Sequence, residues 1–97
     1  MSQNGETRAQ TTVVVRNKNG LHARPSSLLA EAALRFKRTT VTVSRGDIVV
    51  DAKSIMELLL LEASSGTELT IVADGPEAKA AIDELRSLFE RSFDVTL

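Results

Sequence analysis

Thr39-Thr40-Val41-Thr42-Val43-Ser44-Arg45-Gly46-Asp47-Ile48-Val49-Val50 is the stretch that decides the fold. Val41 and Val43 fall on one side of an extended chain, and Thr40, Thr42 and Ser44 on the other. That period of two is the mark of a half-buried strand. Arg45-Gly46-Asp47 reads as a tight turn, and Ile48 to Val50 returns as the partner strand. A hairpin with one wet face predicts an antiparallel sheet covered on one side only.

The same reading extends both ways along the chain. Upstream, Thr11 to Arg16 is a Val- and Thr-rich strand ended by the turn cluster Asn17-Lys18-Asn19-Gly20. A helix is expected from about Ala23 to Lys37, with Pro25 in its first turn, where a missing N–H costs nothing. Leu29, Ala32, Ala33 and Phe36 make its inward stripe, and Arg35, Lys37 and Arg38 suit its negative end. Downstream, Ser54 with Glu57 has capping-box spacing, so a short helix should run to about Ala63. Thr67 to Ala73 alternates again. Asp74-Gly75-Pro76-Glu77 then turns into a last helix, with Pro76 near its first position and Ala78, Ala81, Ile82, Leu85, Leu88 and Phe89 as its stripe. Phe93 to Leu97 is assigned to no element. The order is β-α-β-β-α-β-α: an α+β, open-faced sandwich with a mostly antiparallel four-stranded sheet and three helices on one face. Residues 1–10 read as a flexible polar tail and residues 11–97 as one domain.

Composition narrows the function. The chain has 97 residues, no cysteine and one histidine, which leaves no disulfide framework, no thiolate chemistry and no clustered metal site. Twelve basic and thirteen acidic residues nearly cancel, and three Phe stand without Trp or Tyr, so nucleic acid is not an expected partner. The longest apolar run, Leu58 to Leu61, is far short of the roughly 20 residues a spanning helix needs. The polar start has no signal-peptide core. A cytoplasmic protein without membrane insertion or cofactor is the expectation.

Chemistry concentrates in Gly20-Leu21-His22-Ala23-Arg24-Pro25. A histidine at a helix start meets free backbone N–H groups and the positive end of the dipole, which suits an anion. A neutral imidazole nitrogen can attack a phosphoryl donor. Arg24 can hold the phosphoryl oxygens. Equally, His22 could be a polar helix-entry residue with no chemistry. Ser54, at its own helix start, could accept a regulatory phosphate or could merely cap. Ile55, Met56, Leu58, Leu59, Leu60 and Leu61 wrap most of a short helix, so some must face a partner or another helix; Ile55, Met56 and Leu59 are the docking candidates. Arg45-Gly46-Asp47 spells an adhesion tripeptide but reads as turn chemistry. Glu68, Asp74, Glu77, Asp83 and Glu84 read as solvated charge rather than paired catalytic carboxylates.

Gly20-Leu21-His22-Ala23-Arg24-Pro25-Ser26 resembles the active-site motif of HPr, the histidine-containing phosphocarrier family of the bacterial phosphotransferase system. Lys53-Ser54-Ile55-Met56-Glu57-Leu58 resembles that family's regulatory serine segment, and the layout agrees from about Thr11 to Arg91. The resemblance implies that His22 takes a phosphoryl group on Nδ1 from Enzyme I and passes it to an enzyme IIA domain, with Arg24 steadying it. It implies a kinase site at Ser54 for HPr kinase/phosphorylase, docking through Ile55, Met56 and Leu59, and a monomeric carrier rather than a catalyst. Glu57 stands where many members have glycine. The ending Leu88-Phe89-Glu90-Arg91-Ser92-Phe93-Asp94 is similar to the nitrogen-related branch, NPr, while the serine segment is closer to the sugar branch. A regulatory protein-binding module of NPr or corepressor type, not committed to sugar uptake, is the alternative.

Overall fold

The computed structural model describes residues 7–95. Its elements are β1 (Arg8–Val14), α1 (Ala23–Leu34), β2 (Thr40–Arg45), β3 (Ile48–Asp51), α2 (Ile55–Leu60), β4 (Glu68–Asp74), α3 (Ala78–Glu90) and a short 3-10 turn (Ser92–Asp94). The sheet order is β1-β4-β2-β3, with every neighbouring pair antiparallel. The expected four-stranded sheet, three helices and element order are all present.

Register explains the alternation. Thr11, Ile71, Val43 and Val50 lie across one row of the core face, and Ala9, Ala73 and Val41 across the next. Gln10, Val72, Thr42 and Asp51 lie across a row of the opposite, wet face. Ile71, Val41 and Val43 of the sheet and Leu29, Leu58 and Leu85 of the three helices are all fully buried. Helix α3 lies over β1 and β4, α1 packs between α2 and α3, and α2 sits beside β3. Each of the six stripe residues named for the last helix is buried.

Element ends differ from the sequence reading, and each shift has a cause outside the segment. Strand β1 begins at Arg8, so Arg8–Gln10 belong to the sheet rather than to a tail; residues 1–6 lie outside the described residues. The ladder to β4 holds these polar residues extended, and Arg8 reaches Asp74 at 3.7 Å on the wet face. Helix α1 stops at Leu34. The amides of Arg35 and Phe36 reach back only three residues, to Ala32 and Ala33, which tightens the turn and leaves Lys37 and Arg38 beyond the helix. Helix α2 stops at Leu60, because Glu62 adopts a left-handed φ of 48° and turns the chain away.

Helix α3 starts at Ala78, two residues after Pro76. Its entry is capped from afar: the buried Thr39 hydroxyl accepts from the Glu77 N–H at 2.9 Å. Gly75 makes that approach feasible, since a Cβ there would stand 2.5 Å from the Arg38 carbonyl oxygen. Past α3, Phe93 is 2% exposed and meets the Phe89 ring edge-on, with centroids 4.9 Å apart. The start of the unassigned ending therefore closes the core, while residues 96–97 lie outside the described residues.

Candidate functional site

The turn after β1 aims the histidine. Gly20 takes φ 73° and donates to the Asn17 carbonyl at 3.0 Å. It also lies hard against the segment after α2: a Cβ at residue 20 would stand 2.5 Å from the Ala63 oxygen. The next amide, Leu21, donates to that same oxygen at 2.8 Å, and the Leu21 side chain is buried as an anchor. Buried Asn17 ties the turn to the far end of the chain, donating from Nδ2 to the Ser92 carbonyl at 2.8 Å.

His22 is the N-cap of α1, with extended backbone at φ −83° and ψ −165°. Its carbonyl accepts from Ser26 N at 3.0 Å, and Ser26 Oγ donates to the Leu21 carbonyl at 3.1 Å. Pro25 is buried in the first turn. The amides of Ala23 and Arg24 have no helical carbonyl one turn back, so they remain donors at the positive end of the helix. The imidazole makes no capping bond. Its Nε2 is buried and has no hydrogen-bond partner. Arg24 is exposed in the first turn and makes no hydrogen bond or ion pair among the described residues, so its guanidinium is free for an anion.

Helix α2 forms a wall between two depressions. Leu59 and Glu62, with Ala63 and Ser64, share one with His22. Ser54, Ile55 and Met56 face α1 across the other, where Glu31 and Leu34 form the opposite side. Thus Leu59 belongs with His22, and Ile55 and Met56 with Ser54. Leu58 and Leu61 are fully buried, whereas Ile55, Met56, Leu59 and Leu60 are exposed. Sequence reasoning missed Leu34, a leucine off the inward stripe of α1; that displacement was the available signal.

Ser54 caps α2, its Oγ accepting from Glu57 N at 3.2 Å. The expected capping box is only half closed. Glu57 Oε1 accepts from Asp51 N at 2.9 Å instead of from Ser54 N, which already donates to the Asp51 carbonyl. The neighbouring Lys53 ammonium is committed elsewhere, to the Phe36 and Thr39 carbonyls at 2.8 and 2.7 Å. It ties down the turn that follows α1, whereas the last turn of α1 itself holds none of Arg35, Lys37 and Arg38, which were expected to close it.

The two decoys stay apart from this region. Arg45 Nε donates to the Leu61 carbonyl at 2.7 Å, so the Arg-Gly-Asp arginine is a strut between β2 and the end of α2. Asp74, Asp83 and Glu84 pair with Arg8, Lys79 and Arg35, and Glu77 accepts from Arg38 N. Among the described residues no group of three His, Asp or Glu could hold a metal ion, and no helix is long and apolar enough to cross a membrane.

An open-faced antiparallel sandwich carrying a helix-capping histidine defines a class with known members. Residues 9–91 match the PTS-HPr family model, described as the PTS HPr component phosphorylation site. The chain is 42% identical to phosphocarrier protein HPr of Treponema pallidum over 83 residues, 86% of this chain and 93% of that one. It is 35% identical to phosphocarrier protein NPr of Shewanella violacea over 88 residues, 91% and 96% of the two chains. The crystal structure of HPr-C-His from Thermoanaerobacter tengcongensis superposes with a TM-score of 0.86 at 35% identity, covering 92% of this chain and 99% of that one. The chain belongs to the PTS-HPr family. Its role is that of a phosphocarrier of the phosphotransferase system.

Proposed function

We propose that His22 accepts the phosphoryl group from phospho-Enzyme I and passes it to enzyme IIA domains. The observation that supports this reading is the place of His22: it is the N-cap of α1, beside the donor amides of Ala23 and Arg24, and its Nε2 is buried without a partner. Nδ1 would attack phosphorus in line. The new N–P bond forms as the N–P bond to the Enzyme I histidine breaks, and that nitrogen leaves with the electron pair. Delivery to enzyme IIA repeats the exchange in the opposite sense. The amides and Arg24 stabilise the charge spread over the phosphoryl oxygens. The reading includes a cytoplasmic, monomeric carrier.

Ser54 would be the regulatory site, acted on by HPr kinase/phosphorylase. Its half-buried place beside the exposed Ile55 and Met56 supports this, because a phosphate there would alter the docking face directly. The same arrangement favours the second reading, a regulatory module of NPr or corepressor type working through Ser54 and the apolar face.

The chain is incubated with phosphoenolpyruvate and Enzyme I and its intact mass measured. One added phosphoryl group, absent in His22→Ala, is expected. An unmodified wild type, or equal labelling of His22→Ala, would overturn the carrier role of His22. For the second reading, Ser54→Asp should change affinity for the partner; unchanged affinity removes its basis.

A further inference from the structure

The sheet ends in two unlike edges. Strand β3, at one edge, is four residues long and has α2 beside it. Strand β1, at the other, is seven residues long, holds no proline, glycine or lysine, and pairs with β4 in one unbroken register. Its ladder has a fixed parity. The Thr7 carbonyl accepts from the Gly75 amide at 2.6 Å, and the Val15 amide donates to the Thr67 carbonyl at 2.9 Å. Bonded and non-bonded residues alternate in an antiparallel pair. Ala9, Thr11 and Val13 therefore bond β4, and the N–H and C=O groups of Arg8, Gln10, Thr12 and Val14 point away from the sheet. All four residues are exposed, and no strand lies beyond them among the described residues. A long, regular edge of this kind is a template for one more strand.

A groove runs along this edge between β1 and α3. Arg8, Lys79 and Ile82 line one end, Arg16 and Phe89 the other, and Arg86 borders both. Val13, Ile82 and Phe89 are buried, so the groove offers little apolar surface. Recognition there rests on main-chain pairing and on charge. The charge is positive: Arg8, Arg16, Lys79 and Arg86 stand against the carboxylates of Asp83 and Glu90, on a chain of net charge −1. Asp83 pairs with Lys79 and Arg86 at 3.3 and 3.5 Å, Glu90 lies 3.9 Å from Arg86, and Arg8 reaches Asp74 on the wet face. These pairs are exposed and weak, so an incoming carboxylate can compete for the cations. Arg16 is exposed and makes no hydrogen bond or ion pair among the described residues.

We propose that the outer edge of β1 takes up an extended, acidic segment of a partner protein as an added strand of the sheet. The backbone of that segment pairs with Arg8, Gln10, Thr12 and Val14, and its carboxylates are held by Arg16 and Arg86. The inference stands apart from the phosphocarrier reading. Helix α3 lies over β1, whereas α2 sits beside β3 at the opposite edge, and the groove shares no residue with the His22 and Ser54 depressions.

The probe is a capped peptide of alternating glutamate and valine, as long as β1, titrated into the full chain at low salt and followed by amide hydrogen exchange. Binding with a Kd below about 1 mM is expected. Exchange should slow at Arg8, Gln10, Thr12 and Val14, while Ala9, Thr11 and Val13, already bonded to β4, change little. R16E should weaken binding by about threefold or more and R16E/R86E by about tenfold or more, both differences shrinking at high salt. The same peptide with lysine for glutamate should bind about tenfold more weakly or worse. Thr12→Pro deletes one outward N–H and no bond to β4, and should abolish binding. Retained protection at Ala9 and Thr11 shows that its sheet is intact; where that protection is lost, R16E and the wild-type exchange pattern decide. Binding that leaves the four outward amides unprotected overturns the proposal, as does a lysine peptide that binds as well as the glutamate one. No association up to about 1 mM overturns it too. So do outward amides already protected by a second copy of the chain before peptide is added.

Discussion

Gly20 and Ala63 meet across the base of the His22 turn: residue 20 has no room for a Cβ, which would stand 2.5 Å from the Ala63 oxygen, and the Leu21 amide bonds that same oxygen. The histidine is thus aimed by a backbone contact between the start of α1 and the segment following α2. Gly20→Ala must relieve both the clash and a left-handed φ, at a cost of about 1–3 kcal/mol. Urea denaturation should show the loss. Phosphoryl uptake should slow by more than the unfolded fraction explains, because the His22 turn itself is pushed outward. Unchanged uptake with lost stability would separate the turn from the chemistry.

The Arg24 side chain makes no hydrogen bond or ion pair among the described residues, so removing it should leave the melting temperature almost unchanged. Arg24→Ala should slow phosphoryl transfer by about ten- to hundredfold, in the range of losing one charged donor to a developing phosphoryl charge. Arg24→Lys keeps the charge but loses the planar fork and should fall between. Rapid-quench measurement of His22 labelling checks the order.

Ser54→Ala removes the hydroxyl that accepts from Glu57 N and should cost about 1 kcal/mol. For a chain of this size that lowers the melting temperature by roughly 4–8 °C. Calorimetry checks it. Ser54→Asn or Ser54→Asp, which retain an acceptor, should recover most of the loss, whereas a purely exposed serine would show none.

Lys53→Met keeps the stem and deletes the ammonium that bonds the Phe36 and Thr39 carbonyls. Two charge-assisted bonds to the turn between α1 and β2 are lost, partly repaid by water, for a net cost of about 1–3 kcal/mol. Guanidinium titration should show an earlier midpoint with an unchanged slope. Hydrogen exchange should quicken at Phe36 to Thr39 before the sheet.

Phe93→Ala opens the core where the chain ends. Deleting a ring that is 2% exposed and in edge contact with Phe89 should cost about 3–5 kcal/mol. Chemical denaturation checks this, and a cost under about 1 kcal/mol would mean that the turn after α3 is an ornament rather than a plug.

The alternation of Thr39–Val50 and the stripe of α3 were legible because periodicity is local: each residue's face follows from its neighbours two or three and four places away. His22 and Ser54 were legible as helix starts for the same reason. Helix ends were less so. Nothing around Leu34 announces that α1 stops there, and the turn that follows it is held by the Lys53 ammonium, 17 residues past Phe36. Asn17 bonds a carbonyl 75 residues away, a partner no local pattern can name.

Sequence by itself determined the order of elements, the wet and dry faces of the sheet, and the candidate pair of His22 and Arg24, because these depend on short-range geometry and on residue chemistry. Only the tertiary structure decided which leucines of 58–61 are buried, where Glu57 sends its carboxylate, and that α2 separates the His22 depression from the Ser54 cleft. A hydrophobic run can satisfy several rotations of a helix equally well. The rotation is chosen by what α1 and β3 present to it, and that information lies in the packing.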